Sequence, residues 1–231
     1  MVVKAVFFDL VDTLVVHDNP GESWPLFMAT LHGCLGKHGL ELADRDFAEQ
    51  CELHFQQGQP PDAAGLTVFE RRILALSSEA GLALKTADVQ EAAETIIATW
   101  RRYVSLDPDC HHVLAELRQR RTLVLISNYD HPPAIHDLLR DMDLRKYFSM
   151  VIISGEVGCQ KPDPRIFRIA LDRMGLTSEE AIHVGDSPDD VNGALAAGVV
   201  PIRIQRDASQ RPMSHPDVRT IHRLSDLLGL V

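Results

Sequence analysis

Five short apolar runs, residues 2–8, 122–126, 150–153, 181–184 and 199–204, constrain this chain more than any other feature of it. They run mostly continuous rather than alternating, which suits strands buried on both faces of a parallel sheet and not strands with one wet face. Helical patterns at 110–120, 133–142, 164–174 and 189–197 lie between and before the later runs. Gly175 and Gly198 stand just past the last two helices, where a C-terminal cap is expected. This alternation predicts an α/β fold, a doubly wound, Rossmann-like parallel sheet.

Residues 18–100 break that alternation. They hold no clear strand, and helical periodicity recurs near 24–38, 44–57, 67–78 and 86–102. A crossover between parallel strands needs about a dozen residues, so a segment this long is expected to be a separate all-helical cap. The expected division is a core of residues 1–17 and 101–231 with a cap of residues 18–100.

Composition narrows the partners. The 231 residues are 45% hydrophobic and 24% charged, with a formal net charge of −10. That balance offers no basic patch for nucleic acid. No apolar run approaches the roughly 20 residues that cross a bilayer, and the first residues enter a strand with no signal-peptide pattern. Cys34, Cys51, Cys110 and Cys159 are far apart with no CxxC spacing, as expected of reduced thiols in a cytoplasmic protein.

Four signatures bear on chemistry. The first strand ends in Asp9, with Thr13 four residues on. Such a carboxylate enters the crevice at the C-terminal edge of the sheet, where open α/β sheets bind ligands. Ser127-Asn128 closes the second strand, Lys161 lies in Cys159-Gln160-Lys161-Pro162-Asp163-Pro164, and Gly185-Asp186-Ser187-Pro188-Asp189-Asp190 follows the fourth. Each alone has a structural explanation: a turn aspartate, a capping serine, a solvated lysine, a helix N-terminal acid. Together they put a nucleophile, a hydroxyl, a cation and further carboxylates on one rim.

With these residues in order, the chain resembles the haloacid dehalogenase-like hydrolase superfamily, of the type with a helical cap after the first strand. The runs ISGEVGCQKPDPRIF (153–167) and HVGDSPDDVNGALAAG (183–198) carry the likeness most specifically. The resemblance implies that the strands ending at Asp9 and Asp186 are neighbours. It implies a phosphatase acting on a small phosphorylated molecule, with Asp9 as the nucleophile that forms an aspartyl-phosphate. Ser127 and the Asn128 backbone would hold the transferring phosphoryl group, and Lys161 would offset its charge. Mg²⁺ would sit on Asp9, the Val11 carbonyl, Asp186 and Asp190.

Val11 departs from that pattern. Phosphatases of the superfamily usually carry a second Asp there, as the acid that protonates the leaving alkoxide and the base that activates water. Val does neither, and such a loss forfeits about 10²–10⁴-fold in rate. Asp12 is expected to point away, because successive side chains of an extended segment face opposite sides. Two alternatives follow. A 2-haloacid dehalogenase also lacks the second Asp, but that branch uses no Mg²⁺ and departs from the Gly-Asp retained here at Gly185-Asp186. A non-catalytic member would bind a phosphorylated ligand or a protein. His111-His112 and Arg101-Arg102 are expected at the surface, and His183, Trp24 and Phe27 in packed interiors.

Overall fold

Each of the five apolar runs forms a strand of one parallel sheet. The computed structural model describes residues 2–206, 215 and 217–231. The chain begins with β1 (Ala5–Phe8) and β2 (Val15–His17). Four helices follow: α1 (Pro20–Gly36), α2 (Asp44–Gln56), α3 (Val68–Glu79) and α4 (Thr86–Trp100). After β3 (Val104–Leu106), helices and strands alternate: α5 (Cys110–Arg118), β4 (Thr122–Ser127), α6 (Pro132–Asp141), β5 (Met150–Ile153), α7 (Ser154–Val157) and α8 (Arg165–Met174). The last elements are β6 (Ala181–Gly185), α9 (Pro188–Ala197), β7 (Val200–Ile204) and β8 (Arg219–Ile221).

The six-stranded sheet has the order β5-β4-β1-β6-β7-β8, and its neighbours pair parallel. β1 lies between β4 and β6, with Phe8 opposite both Leu125 and Val184. All four residues of β1 are fully buried, which accounts for its unbroken apolar sequence. Burying a Phe side chain of this kind contributes about 1.5–3 kcal/mol. The shared register brings Asp9, Ser127 and Asp186 to one edge.

Two compact units are distinguished by their internal contacts. One comprises Met1–Val16 and Leu106–Val231, the other His17–Ser105. The helical unit buries its own core, including Leu31, Leu35, Phe47, Ile73, Leu76 and Ile96. Trp24 and Phe27, both half-buried, stack with ring centres 4.8 Å apart. Thr67 and Glu70 form a reciprocal N-terminal cap on α3. Arg72 of α3, itself buried, donates from Nη1 to the carbonyls of His54, Gln57 and Gly58, closing the C-terminal end of α2.

The structure differs from the sequence reading in its smallest elements. β2, β3 and β8 have three residues each and α7 has four. Such lengths are too short for a periodicity to show. α1 begins at Pro20, earlier than the apolar pattern suggested, because proline suits the first helical turn. Gly175 and Gly198 both adopt the left-handed conformation that ends a helix. No described helix is long and apolar enough to cross a membrane.

Candidate active site

The C-terminal edge of the core sheet gathers three carboxylates, two of them bonded to one buried ammonium. Asp9 follows β1 directly, and its amide still bonds the Val184 carbonyl at 2.9 Å, so its backbone is held by the ladder. Its Oδ1 accepts from Lys161 Nζ at 2.5 Å. The same Nζ reaches Asp190 Oδ1 at 2.6 Å. Lys161 is 2% exposed and Asp9 7%, so this is an interior ion triad and not a solvated pair.

Asp190 is the anchor of the group. Its Oδ1 also accepts from His183 Nε2 at 2.8 Å, and its Oδ2 accepts from the Ser187 amide at 3.1 Å and Ser187 Oγ at 2.6 Å. Ser187 in turn caps the start of α9. The preceding Gly185 makes room for this. A Cβ there would lie 2.2 Å from Asp190 Cγ, so only glycine lets the carboxylate fold back beside the strand.

Ser127 is the last residue of β4 and is buried. Asn128 does more than lend its backbone. Its side chain pairs reciprocally with the Lys161 main chain, with Nδ2 donating to the carbonyl at 2.9 Å and Oδ1 accepting from the amide at 2.8 Å. It therefore docks the loop that carries the lysine. Ser154 Oγ accepts from the Tyr129 amide at 2.9 Å, securing the next residue.

The segment after Asp9 corrects one expectation. It is not extended: the amides of Leu14 and Val15 both bond the Leu10 carbonyl, and Asp12 lies at φ 60° in the left-handed region. Alternation of side chains therefore does not apply, and Asp12 is near enough for its charge to act on Asp186. Asp is among the few residues that take this conformation readily, in keeping with a turn-forming role. Thr13 is fully buried, and its Oγ1 has no hydrogen-bond partner.

Burial and the crowding of charge together set the protonation. Burial, followed by the charges of Asp9, Asp190 and Asp12, pushes the Asp186 carboxyl up to about 8. Burial pushes Asp9 up to about 6 against the pull of Lys161. Burial opposes charge on Lys161 and Asp190 alike. For Lys161 the two carboxylates outweigh it and hold the ammonium above its ordinary value. For Asp190 the Lys161 charge and the His183 bond outweigh it and hold the carboxyl well below the usual range. Burial lowers His183, which is therefore the neutral donor to Asp190.

Carboxylate oxygens of Asp9, Asp186 and Asp190 lie within 4.8 Å of one another. Lys161 pairs with Asp9 and Asp190 only, and no cationic side chain bonds Asp186 among the described residues. Hard oxygen donors with uncompensated negative charge fit a divalent cation such as Mg²⁺. Asp9 and Asp186 are the better direct donors, because both Asp190 oxygens are already engaged.

Several residues play parts their sequence signals did not convey. His183 is packed against Phe167, as expected of a core histidine, but it also orients Asp190. A lone polar residue inside an apolar strand, three positions before Asp186, was the available sign. Arg206 and Asp107 meet at the turn after Asp9, and no motif marks either. His111 bonds the Tyr147 hydroxyl at 3.2 Å, and Arg101 and Arg102 lie in a short helical turn after α4. The four cysteines are unpaired. Burial pushes Cys51 and Cys110 up to about 12, which makes them poor nucleophiles.

Residues 3–198 match the family model described as haloacid dehalogenase-like hydrolase. A phosphoserine phosphatase of Thermus thermophilus is 41% identical over 143 residues, covering 61% of this chain and 56% of that protein. The chain thus spans about half the length of this curated relative, and a smaller share of a glyceraldehyde 3-phosphate phosphatase of Methanopyrus kandleri, at 41%. Among solved structures, a HAD phosphatase from Thermococcus onnurineus aligns with a TM-score of 0.70 at 24% identity, over 99% of this chain and 97% of that one. A 2-haloacid dehalogenase from Pseudomonas syringae aligns about as well, with a TM-score of 0.68 at 23% identity over the same shares.

Proposed function

Since this chain belongs to the haloacid dehalogenase-like hydrolase family, we propose that it is a Mg²⁺-dependent phosphatase of small phosphate esters, working through a covalent phosphoryl group on Asp9. One observation carries the reading: the Asp9–Lys161–Asp190 triad with Asp186 beside it, at one edge of the sheet. Similarity of fold does not decide between phosphoryl and halide chemistry, because both kinds of solved structure align comparably. The acidic cluster favours phosphoryl transfer, since halide displacement needs no cation. A phosphatase name on the Thermus thermophilus relative points the same way.

Asp9 attacks phosphorus, and the ester oxygen leaves with its electron pair. Lys161 aligns Asp9 through the 2.5 Å contact and offsets charge on the phosphoryl oxygens. Ser127 donates its hydroxyl hydrogen to one of those oxygens, while Asn128 holds the Lys161 loop. Water then attacks phosphorus, the bond from phosphorus to Asp9 breaks with its electron pair returning to the carboxylate, and the proton of the attacking water passes to solvent as inorganic phosphate leaves. Asp9, Asp186 and the Val11 carbonyl would hold Mg²⁺, with Asp190 acting through water; when bound, the cation offsets repulsion between the carboxylate nucleophile and the phosphate. Val11 supplies no proton, so the enzyme favours aryl or acyl phosphates, whose leaving groups need none. The inserted helical unit is the part we assign to substrate selection.

The test is phosphate release from aryl and alkyl esters with Mg²⁺, with chelator and with Asp9→Asn, beside halide release from 2-chloropropionate. Mg²⁺-dependent phosphate release that Asp9→Asn abolishes supports the reading. Metal-independent halide release, or silence in both assays, overturns it.

A further inference from the structure

The turn that aims Asp9 is tied down from the far end of the chain. Arg206, just past β7, donates from Nη2 to the Thr13 carbonyl at 2.6 Å and from Nε to the Asp12 carbonyl at 3.3 Å. Its Nη1 bonds the Asp107 carboxylate. Asp107 is 3% exposed and is itself tied, its amide donating to the Leu14 carbonyl at 3.1 Å and its Oδ1 accepting from the Asp109 amide at 2.8 Å. Three consecutive carbonyls of the turn, at 12, 13 and 14, are therefore held by two residues nearly 100 positions apart.

The turn needs such ties. Even for an aspartate the left-handed region carries some conformational cost, so the turn around Asp12 is better defined where its surroundings fix it. The turn also carries Val11, whose side chain offers the chemistry nothing and whose carbonyl is all it can contribute. We propose that Arg206 is a positioning residue: its guanidinium, oriented by Asp107, locks the Asp12–Thr13 turn and so sets the aim of Asp9 and the Val11 carbonyl. The planar fork suits this because two nitrogens reach two carbonyls while a third holds the carboxylate. A lysine ammonium, a single compact donor group, cannot span the three partners. The inference rests on the phosphatase reading above, with Mg²⁺ held partly by that turn.

Two readouts test it, namely Mg²⁺ affinity by titration calorimetry and the kcat/KM split on an aryl phosphate. Arg206→Lys and Arg206→Met should each weaken Mg²⁺ binding and lower kcat by about 10–100-fold, the usual effect of removing a partner that orients a metal ligand. KM should change far less. Asp107→Asn should shift both in the same direction but less, because it leaves the bonds to the two carbonyls in place. Thermal melts keep the outcomes distinct. Losses that merely follow the fraction unfolded overturn the positioning role. So do Arg206 variants with wild-type affinity and kcat in an enzyme that binds Mg²⁺ and releases phosphate. A wild-type chain that does neither overturns the phosphatase reading, and this inference with it.

Discussion

Val11 and Gly185 make opposite demands on the same site. Val11 withholds a function. Introducing Val11→Asp should raise turnover on alkyl phosphates by about 10²-fold or more, the ordinary worth of a placed general acid. Aryl phosphates should gain less, because their leaving groups depart unprotonated and only the activation of water against the aspartyl-phosphate improves for them. An equal gain on both, measured by phosphate release, would count against the missing acid as the cause. Gly185 withholds volume, and Asp190 occupies the space. Gly185→Ala should cost about 1–3 kcal/mol of stability, as overpacking of an interior does, read from chemical denaturation. It should also cost activity beyond that, because a displaced Asp190 leaves Lys161 without one of its two partners. Asp9, Ser127, Lys161 and Asp186 were legible because each is a polar residue ending an apolar run or lying in a dense motif. The second role of Asn128 was not, since the partner of its side chain is a main chain 33 residues away.

Helices and strands here are stopped by side chains the sequence displays and secured by others it does not. The Thr67/Glu70 and Ser187/Asp190 capping boxes follow the spacing that marks a helix start. Arg72 has no such spacing: it closes α2 from within α3, across 14 to 18 residues. Arg72→Met should therefore destabilise the protein by about 1.5–3 kcal/mol, the range for a lost hydrogen bond from a charged donor. Equilibrium urea unfolding measures it, and an unchanged midpoint would show that water replaces the guanidinium at no cost. The three-residue strands escaped sequence reading for a related reason. Their pairing partners, and not their own patterning, make them strands.

Across the whole molecule the crowded carboxylates make stability depend on pH and on metal together. Asp186 and Asp9 have raised values of about 8 and about 6 in the folded chain, above the ordinary carboxylate range. A raised carboxyl binds its proton more tightly when folded, so its contribution is complete at low pH and is lost as pH rises through the folded value. The metal-free protein should accordingly melt at a lower temperature at pH 8 than at pH 6. Mg²⁺ favours the ionised carboxylates, so its addition should raise the melting temperature more at pH 8 than at pH 6. Calorimetric scans with and without the ion decide this, and a larger Mg²⁺ shift at pH 6 would contradict it.

What the sequence determined by itself was local and periodic: continuous apolar runs for strands buried on both faces, amphipathic helices between them, glycines at helix ends, and the acids, serine and lysine where those strands stop. These follow from the chemistry of each segment and its near neighbours. What only the tertiary structure decided was the set of long-range partners. The sheet order put β1 between β4 and β6. Folding then brought His183 to Asp190, Asn128 to the Lys161 main chain, and Arg206 to a turn 193 residues earlier. A hydrogen bond depends on distance and direction in space, and for such distant pairs the packing of the whole sheet sets both.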